Sequence, residues 1–275
     1  MSFRTSLIFL EIRMALFSQY MKEEKIIIAN WKMKLGLSES VNLAKKIKTK
    51  FKNFNSGTVA VCPNFISLLE VKDVLKGSGI KLGAQDVFWE KEGAYTGEIS
   101  PNMLIEAGCD YVIIGHSERR KFLMENYEMI HKEVKAVLHA EELIPIVCIG
   151  ENWDERKTDR RDFVLFDQLQ QALSGIDIVG NQQIVIAYEP IWAIGSGTAI
   201  EPSEAEYAHK IIRLTLNDMF GMKIVNNNFK IIYGGSISSK NVKSFVGLDN
   251  LDGMLVGGAS LDPDEFFKVV KTVLN

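Results

Sequence analysis

The stretch IVIAYEPIWAIGSG, residues 184–197, joins a short apolar run to a glutamate and then to a loop that ends in glycines. Five consecutive apolar or aromatic residues, three of them β-branched, are typical of a strand that is buried on both faces, as strands in parallel sheets are. Glu189 follows directly where this strand should end. The stretch therefore predicts a buried parallel strand that carries a carboxylate at its carboxyl end.

The same theme of strand, loop and amphipathic helix recurs along the chain. The eight predicted strands are residues 25–30, 58–62, 80–84, 111–115, 144–149, 184–188, 229–233 and 253–256. Strict alternation of strands and helices implies parallel strands joined by right-handed crossovers. Eight such units predict an α/β fold closed into a single (β/α)₈ TIM barrel with outer helices, rather than an open sheet.

Two of the predicted helices carry start signals. Ser203 followed by Glu206 has the spacing of a capping box, in which each residue's side chain binds the other's backbone amide. Asp262-Pro263 precedes a helical pattern near the end of the chain, and proline is common at the first position of a helix. We expect helices to begin at both places.

The length of 275 residues suits one barrel, and no stretch rich in proline, glycine or serine divides the chain. We expect one catalytic domain at residues 21–275. Residues 1–20 are expected to be a disordered N-terminal extension, or the result of a start codon placed too far upstream. Arg4 and Arg13 weakly favour an organellar transit peptide, against which Glu11 argues.

Charge and cysteine content exclude several classes of partner. The net charge of −3 gives no basic field for nucleic acid or for an anionic membrane. Cys62, Cys109 and Cys148 are widely spaced and form no CxxC pair, so they predict reduced thiols and a cytoplasmic protein. The four histidines form no HxH or HExxH pattern, which argues against a metal site.

Polar residues that follow the first and fourth strands are candidate catalytic groups, because barrels of this kind carry function at the carboxyl ends of their strands. Lys32, two residues after Asn30, can meet an anionic substrate, although an isolated lysine is more often a solvated surface residue. His116 precedes Ser117 and Glu118, which suit the first turn of a helix. The positive end of that helix would keep the imidazole neutral and able to donate to a carbonyl; a merely structural capped histidine is the alternative.

Glu189 is the candidate general base. A carboxylate after five apolar or aromatic residues is costly to bury, and partial desolvation is expected to raise its pKa. The loop that follows begins with a proline that restricts the backbone, continues with apolar residues and ends with glycines, whose backbone is conformationally permissive. This pattern is expected of a lid that excludes water, whereas an ordinary loop would explain only the glycines. The predicted lid consists of Pro190, Ile191, Trp192, Ala193, Ile194, Gly195, Ser196 and Gly197.

Paired glycines follow the last two strands and indicate a phosphate site. Tyr233 is followed by Gly234, Gly235 and Ser236, and the last strand by Gly257 and Gly258. Glycine pairs allow backbone N–H groups to approach an anion closely. The loops after the seventh and eighth strands are also the usual phosphate site of such barrels.

Taken together, these segments resemble the triosephosphate isomerase family. The resemblance covers nearly everything after Met21, in the family's order. The matching motifs are residues 30–33 (NWKM), 83–86 (GAQD), 93–98 (GAYTGE), 115–120 (GHSERR), 148–151 (CIGE), 188–197 (YEPIWAIGSG), 233–236 (YGGS) and 256–260 (VGGAS).

The resemblance implies a reaction and a set of roles. The reaction is the interconversion of dihydroxyacetone phosphate and D-glyceraldehyde 3-phosphate through an enediolate, in glycolysis and gluconeogenesis, without a cofactor or a metal. A glutamate base paired with a neutral histidine, and a closing lid, are established features of this enzyme family. The implied catalytic residues are Glu189, His116, Lys32, Asn30, Glu118 and Ser117, and the implied phosphate-binding residues are Gly195, Ser236, Gly257 and Gly258.

The resemblance also implies a homodimer, in which Tyr95, Thr96 and Gly97 reach the partner's active site. Two departures from the family pattern concern Lys34, where asparagine is usual, and the far hinge at residues 198–200, which puts lid kinetics in question.

Two alternatives remain: another phosphosugar isomerase or lyase barrel, and a catalytically silent barrel that binds a phosphometabolite. Neither explains the glutamate-led lid together with the intact base, histidine and lysine.

Overall fold

The computed structural model describes residues 25–194 and 200–274, which form a closed barrel of eight parallel strands in the order β1 to β8. The strands are β1 Ile26–Asn30, β2 Thr58–Cys62, β3 Lys81–Ala84, β4 Tyr111–Ile114, β5 Ile144–Ile149, β6 Ile184–Tyr188, β7 Phe229–Tyr233 and β8 Gly253–Val256. β8 pairs back onto β1 and closes the sheet. The predicted barrel is confirmed, and only β1, β3 and β4 are one residue shorter than predicted.

Helices surround the barrel. Within the described segments they are α1 Leu37–Lys50, α2 Leu68–Leu75, α3 Pro101–Glu106, α4 Ser117–Phe122, α5 Tyr127–His139, α6 Trp153–Lys157, α7 Arg161–Leu173, α8 Pro202–Phe220, α9 Met222–Asn228 and α10 Pro263–Leu274. Short 3₁₀ turns cover Phe65–Ser67, Ile191–Ala193, Val242–Phe245 and Gly258–Leu261. Among the residues described, no helix has both the length and the apolar character needed to cross a bilayer.

The strands are buried on both faces, as their apolar runs require. In β6, Val185 and Ala187 belong to a cluster made only of strand residues, which fills the barrel interior. Ile184, Ile186 and Tyr188 of the same strand belong to the larger cluster between the barrel and the helices. Because side chains fill the interior, a ligand must bind at the end of the barrel.

The predicted start of α10 is confirmed. The helix begins at Pro263, and the Oδ1 atom of Asp262 accepts hydrogen bonds from the amides of Asp264 at 2.8 Å and Glu265 at 2.9 Å. This carboxylate therefore satisfies two of the amides that the first turn leaves without a helical partner.

The predicted capping box at Ser203 is wrong. α8 begins one residue earlier, at Pro202, whose fixed φ suits the first helical position, so Ser203 lies inside the helix. The Glu206 carboxylate instead accepts a hydrogen bond from the Asp249 amide at 3.2 Å. The spacing that resembled a capping box thus serves a contact with a distant loop.

Candidate active site

A cavity of about 450 Å³ opens at the carboxyl ends of the strands. Its chemically active lining comes from the ends of β1, β4 and β6: Asn30, Lys32, His116, Glu118 and Glu189. The loops after β7 and β8 also line it, through Gly234, Gly235, Ser236, Gly257 and Gly258. The barrel therefore brings the predicted catalytic side chains to the predicted phosphate loops, although they lie far apart in sequence.

Lys32 enters the cavity from an unusual backbone conformation. Its φ is 52°, in the left-handed region that residues other than glycine rarely adopt. Its amide donates to the Oδ1 atom of Asn30 at 3.0 Å, and its carbonyl accepts from the Nε2 atom of Gln85 at 3.0 Å. The ammonium lies 2.7 Å from the Oε1 atom of Glu118. Two side chains thus fix a backbone turn that aims the ammonium across the cavity mouth.

The hydrogen bonds of His116 define its tautomer. The residue caps α4, and the amide of Glu118 donates to its Nδ1 atom at 3.2 Å. An imidazole nitrogen that accepts a hydrogen bond carries no proton, so the neutral ring holds its proton on Nε2. That nitrogen lies 3.0 Å from the Oε1 atom of Glu189. The geometry supports the predicted neutral imidazole with its donor directed at the site.

Glu189 is only 1% exposed, and donors hold its carboxylate. His116 donates to Oε1, and the amide of Ser117 donates to Oε2 at 3.1 Å. The backbone amide of Glu189 donates to the carbonyl of Ile149 at 2.7 Å. Ser117, one of the predicted site residues, therefore contributes through its backbone and does not line the cavity.

The predicted rise in the pKa of Glu189 is wrong for this arrangement. Burial raises the pKa, but the electrostatic attraction and hydrogen bond of the His116 N–H group, the Ser117 amide and the positive charge of Arg120 outweigh it, so the pKa lies below its ordinary value. A sequence pattern reveals the burial of a strand end, whereas these donors come from another strand's loop. The carboxylate is therefore kept ionised where it now lies, and it must leave these donors to gain basicity.

A buried glutamate anchors the first part of the lid, which forms a 3₁₀ turn at Ile191–Ala193. Glu151 accepts from the hydroxyl of Tyr188 at 3.2 Å and from the Nε1 atom of Trp192 at 3.0 Å. Its backbone carbonyl accepts from the amide of Ile191 at 3.0 Å. The sequence motifs do not predict this role for Glu151, although its position directly after β5 is a signal that places it near the site.

The far part of the predicted lid, Gly195, Ser196 and Gly197, lies outside the described residues. The same holds for Thr198 and Ala199 of the unusual hinge. Of the described lid residues, Ile194 lines the cavity.

The glycine loops form part of the opposite wall of the cavity. A Cβ atom on Gly258 would meet no atom within 4 Å, so this backbone faces open space. A Cβ atom on Gly257 would lie 3.5 Å from the Cε atom of Lys32. At Gly235 a Cβ atom would lie 2.0 Å from the hydroxyl of Tyr233, so only glycine fits there. Gly257 and Gly258 line the cavity, and their role in binding a phosphate stays a prediction.

The predicted dimer loop lies away from this chain's own cavity. Tyr95, Thr96 and Gly97 are exposed and do not line the cavity.

A second group of buried carboxylates was not predicted. Oxygens of Asp86, Glu125 and Glu133 lie within 4.8 Å of one another, and Arg119 pairs with Asp86 at 2.8 Å and with Glu125 at 2.7 Å. Burial raises the pKa of Asp86 to about 7, despite the opposing charge of Arg119. Burial and the neighbouring acids raise the pKa of Glu133 to about 9. These residues come from three separate segments, so no local sequence pattern predicts the cluster.

Proton transfer beside a carbonyl needs a base, a donor to the oxygen and a nearby cation, and one cavity of this barrel holds all three. Glycine loops suited to a phosphate form its other wall. These features define a barrel enzyme that isomerises a phosphosugar by moving protons.

Comparison with known proteins narrows this class to one family. A sequence model described as triosephosphate isomerase matches residues 25–273. The triosephosphate isomerase of Dictyoglomus turgidum is 44% identical over 248 residues, 90% of this chain and 99% of that protein. Those of Dehalococcoides mccartyi and Thermodesulfovibrio yellowstonii are 45% and 41% identical over 246 and 248 residues, in each case 90% of this chain and 95% and 99% of theirs. The chain belongs to the triosephosphate isomerase family.

Its reaction is accordingly the interconversion of dihydroxyacetone phosphate and D-glyceraldehyde 3-phosphate, an aldose–ketose isomerisation that serves glycolysis. A different phosphosugar isomerase or lyase does not account for this match along residues 25–273.

Proposed function

We propose that Glu189 is the catalytic base that moves a proton between the two carbons of the triose phosphate. Its carboxylate lies at the cavity, ionised and buried, beside the donor Nε2–H of His116. Leaving the amide of Ser117 and the imidazole would raise its proton affinity, because the hydrogen bonds that stabilise the ionised carboxylate would be lost. A substrate carbon placed in the cavity would then meet a stronger base.

His116 is proposed to polarise the substrate carbonyl. Once Glu189 moves to the substrate, the Nε2–H group loses its acceptor and can donate to the substrate oxygen. The Glu118 amide bond to Nδ1 keeps the donor on Nε2 throughout. A neutral donor fixed in place stabilises the developing enediolate without having to reorganise.

Lys32 is proposed to supply positive charge to the same oxygens, with Asn30 and Glu118 as its positioning partners. Glu118 holds the ammonium in the resting state at 2.7 Å, and an anionic substrate would compete for it. The strained turn at Lys32, fixed by Asn30 and Gln85, keeps the ammonium at the mouth. This charge stabilises the enediolate oxygens and the bound phosphate.

The phosphate is proposed to bind at Ser236, Gly257 and Gly258, together with Gly195 of the lid. Backbone amides beside a cavity suit an anion whose position must leave the reacting carbons free. Binding energy gained at the phosphate can drive closure of residues 190–197 over the site. Closure would exclude water and so protect the enediolate phosphate from eliminating its phosphate group.

The convergence of Glu189, His116 and Lys32 on one cavity carries these assignments. Their test is turnover of glyceraldehyde 3-phosphate, coupled to reduction of dihydroxyacetone phosphate, with Glu189→Gln compared with the unaltered enzyme. We expect kcat to fall by about 10³- to 10⁴-fold while the variant keeps its fold. Turnover that survives in Glu189→Gln would reject Glu189 as the base.

A homodimer is also proposed, with Tyr95, Thr96 and Gly97 reaching the partner's site. Several large apolar side chains are exposed on the described surface, including Met33 at 92% and Ile66 at 76%. Exposed apolar side chains can be covered when two copies of a chain associate. Sedimentation equilibrium should give twice the chain mass of 30.9 kDa, and Tyr95→Asp should lower it. A single-chain mass at micromolar concentration with full activity would reject the dimer.

A cytoplasmic location is proposed, since Cys62, Cys109 and Cys148 are all buried and free, as suits a reducing compartment. The division into an extension at residues 1–20 and a catalytic domain at 21–275 stays a prediction, because residues 1–24 lie outside the described part of the chain.

A further inference from the structure

One buried polar side chain outside the cavity has an arrangement that the roles above do not use. Gln168 lies on the inner face of α7, where the other buried residues are Val164, Leu165, Leu169, Ala172 and Leu173. It is 5% exposed. A carboxamide among aliphatic side chains is costly to bury unless both of its polar ends are hydrogen-bonded.

Both ends of this carboxamide bind one backbone residue. The amide of Gly150 donates to the Oε1 atom of Gln168 at 2.7 Å, and the Nε2 atom donates to the carbonyl of Gly150 at 3.1 Å. Gln168 therefore pairs with Gly150 as a residue of a neighbouring strand would, at the point where β5 ends.

Gly150 is packed directly against the base. A Cβ atom at Gly150 would lie 1.7 Å from the backbone oxygen of Glu189, so the two backbones touch with no room for a side chain. The residue before it, Ile149, accepts the Glu189 amide. A shift of Gly150 away from α7 would therefore push on the backbone that carries the catalytic carboxylate.

The residue after Gly150 holds the resting lid. Glu151 binds Tyr188 and Trp192 through its carboxylate and Ile191 through its carbonyl. Residues on both sides of Glu189 are thus attached to the segment that Gln168 fixes.

From this chain of contacts we infer that Gln168 is a positioning residue for the isomerase reaction, which sets the backbone of Glu189 and the resting lid through Gly150. The inference rests on the proposed role of Glu189 as base. Gln168 touches no part of the cavity, so it acts on the reaction only through the β5 loop. Small displacements of a catalytic group reduce the rate strongly without a comparable loss of substrate binding.

The main test is Gln168→Met, which keeps the length of the side chain and removes both hydrogen bonds. We expect kcat to fall by about 10- to 100-fold at 25 °C, while KM and the dissociation constant of inorganic phosphate change less than about threefold. The matched control is Leu165→Ala on the same face of α7, with both variants assayed well below their melting temperatures. Leu165→Ala should lower the melting temperature but keep kcat within about twofold of the unaltered enzyme.

A second variant, Gln168→Glu, tests the hydrogen bonds themselves. Its new carboxyl group can make both bonds to Gly150 when protonated, but it loses the donor when ionised. The ratio of its kcat to that of the unaltered enzyme should therefore rise as pH falls, whereas the ratio for Gln168→Met should stay low. The pH dependence of Gln168→Glu therefore tests the role of the hydrogen bonds to Gly150 even if Gln168→Met does not fold.

The inference is overturned if Gln168→Met keeps kcat within twofold, if Leu165→Ala loses kcat to the same extent, or if the Gln168→Glu ratio stays near one at every pH. Glu189→Gln, assayed in parallel, separates the two claims. If it keeps its turnover, the proposed base is wrong. If it loses turnover while Gln168→Met does not, only the positioning role is wrong.

Discussion

The short helix α4 and its cap serve two buried carboxylate sites that handle charge in opposite ways. Around Glu189, His116 and the Ser117 amide supply donors to a single carboxylate, and its pKa is lowered despite burial. Around Arg119, one guanidinium faces Asp86, Glu125 and Glu133, and two of these acids have raised pKa values.

The difference shows that burial alone does not set the protonation of an acid in this barrel. The protonation state of each buried acid depends on how many hydrogen-bond donors and cations contact its carboxylate. At the active site the donors outweigh the effect of burial and keep the Glu189 carboxylate ionised. At the acid cluster, unpaired oxygens remain on Asp86, Glu125 and Glu133, so protons must neutralise part of the charge.

The largest effect should come from removing the only cation that the structure places against the acid cluster within the described residues. Arg119→Met removes the ion pairs of Asp86 and Glu125 and leaves the cluster without its cation, and we expect a loss of about 3 to 5 kcal/mol in the free energy of unfolding at pH 8. The loss should shrink at pH 5, where the acids take up protons. Urea unfolding at the two pH values measures it. Lys132→Met, which breaks the exposed pair with Glu128 and removes an ammonium from over the Trp89 ring, should cost about 1 kcal/mol or less. An equal loss in both variants would contradict the comparison.

The next effect concerns the donor side of the active site. His116→Gln removes the imidazole whose proton lies between Glu189 and the substrate position, and kcat should fall by about 10²- to 10³-fold with little loss of stability. Steady-state kinetics, with the exposed His139→Gln as control, checks this. If His116→Gln retains more than a third of the activity, the imidazole is not the electrophile.

The pH dependence of stability should reveal the protonated acids. In the unfolded chain Asp86 and Glu133 ionise near their ordinary values of 3.8 and 4.5, whereas in the folded chain they keep protons up to about pH 7 and 9. The folded state therefore binds more protons over this range, and these two acids make stability fall as pH rises from about 4 to 9.

Replacing one acid should flatten that slope. Glu133→Gln should be close in stability to the unaltered protein near pH 4 and more stable at pH 9, by several kcal/mol if the full shift at roughly 1.4 kcal/mol per pKa unit applies. Chemical unfolding across the pH range gives the difference, and the exposed Glu142→Gln should leave the slope unchanged. A Glu133→Gln curve parallel to that of the unaltered protein would mean that Glu133 is ionised in the folded state.

The smallest effect should come from the lid's resting contact. Trp192→Phe removes the donor to Glu151, while Tyr188 still binds the same carboxylate, so the cost should be about 1 kcal/mol or less. We expect kcat to change by no more than about threefold. Trp153→Phe, whose ring centroid lies 5.4 Å from that of Trp192, serves as the control because it keeps the hydrogen bond. A change of tenfold or more in Trp192→Phe would give this contact a larger part in lid opening.

The sequence predicts the barrel well because buried parallel strands leave uninterrupted apolar runs, such as residues 184–188. It also predicts which side chains meet in the cavity, since Lys32, His116 and Glu189 each follow such a run. It does not predict how they titrate, because the donors to Glu189 come from the loop of another strand. The acid cluster and the pairing of Gln168 with Gly150 likewise join segments that no local pattern connects.

The backbone of Lys32 has a consequence for anyone who would engineer this protein. A left-handed φ of 52° costs a lysine about 1 kcal/mol relative to glycine. A search for stabilising substitutions would therefore favour Lys32→Gly and would remove the ammonium from the mouth of the cavity. Position 32 is thus one where a more robust fold and a working enzyme require different amino acids.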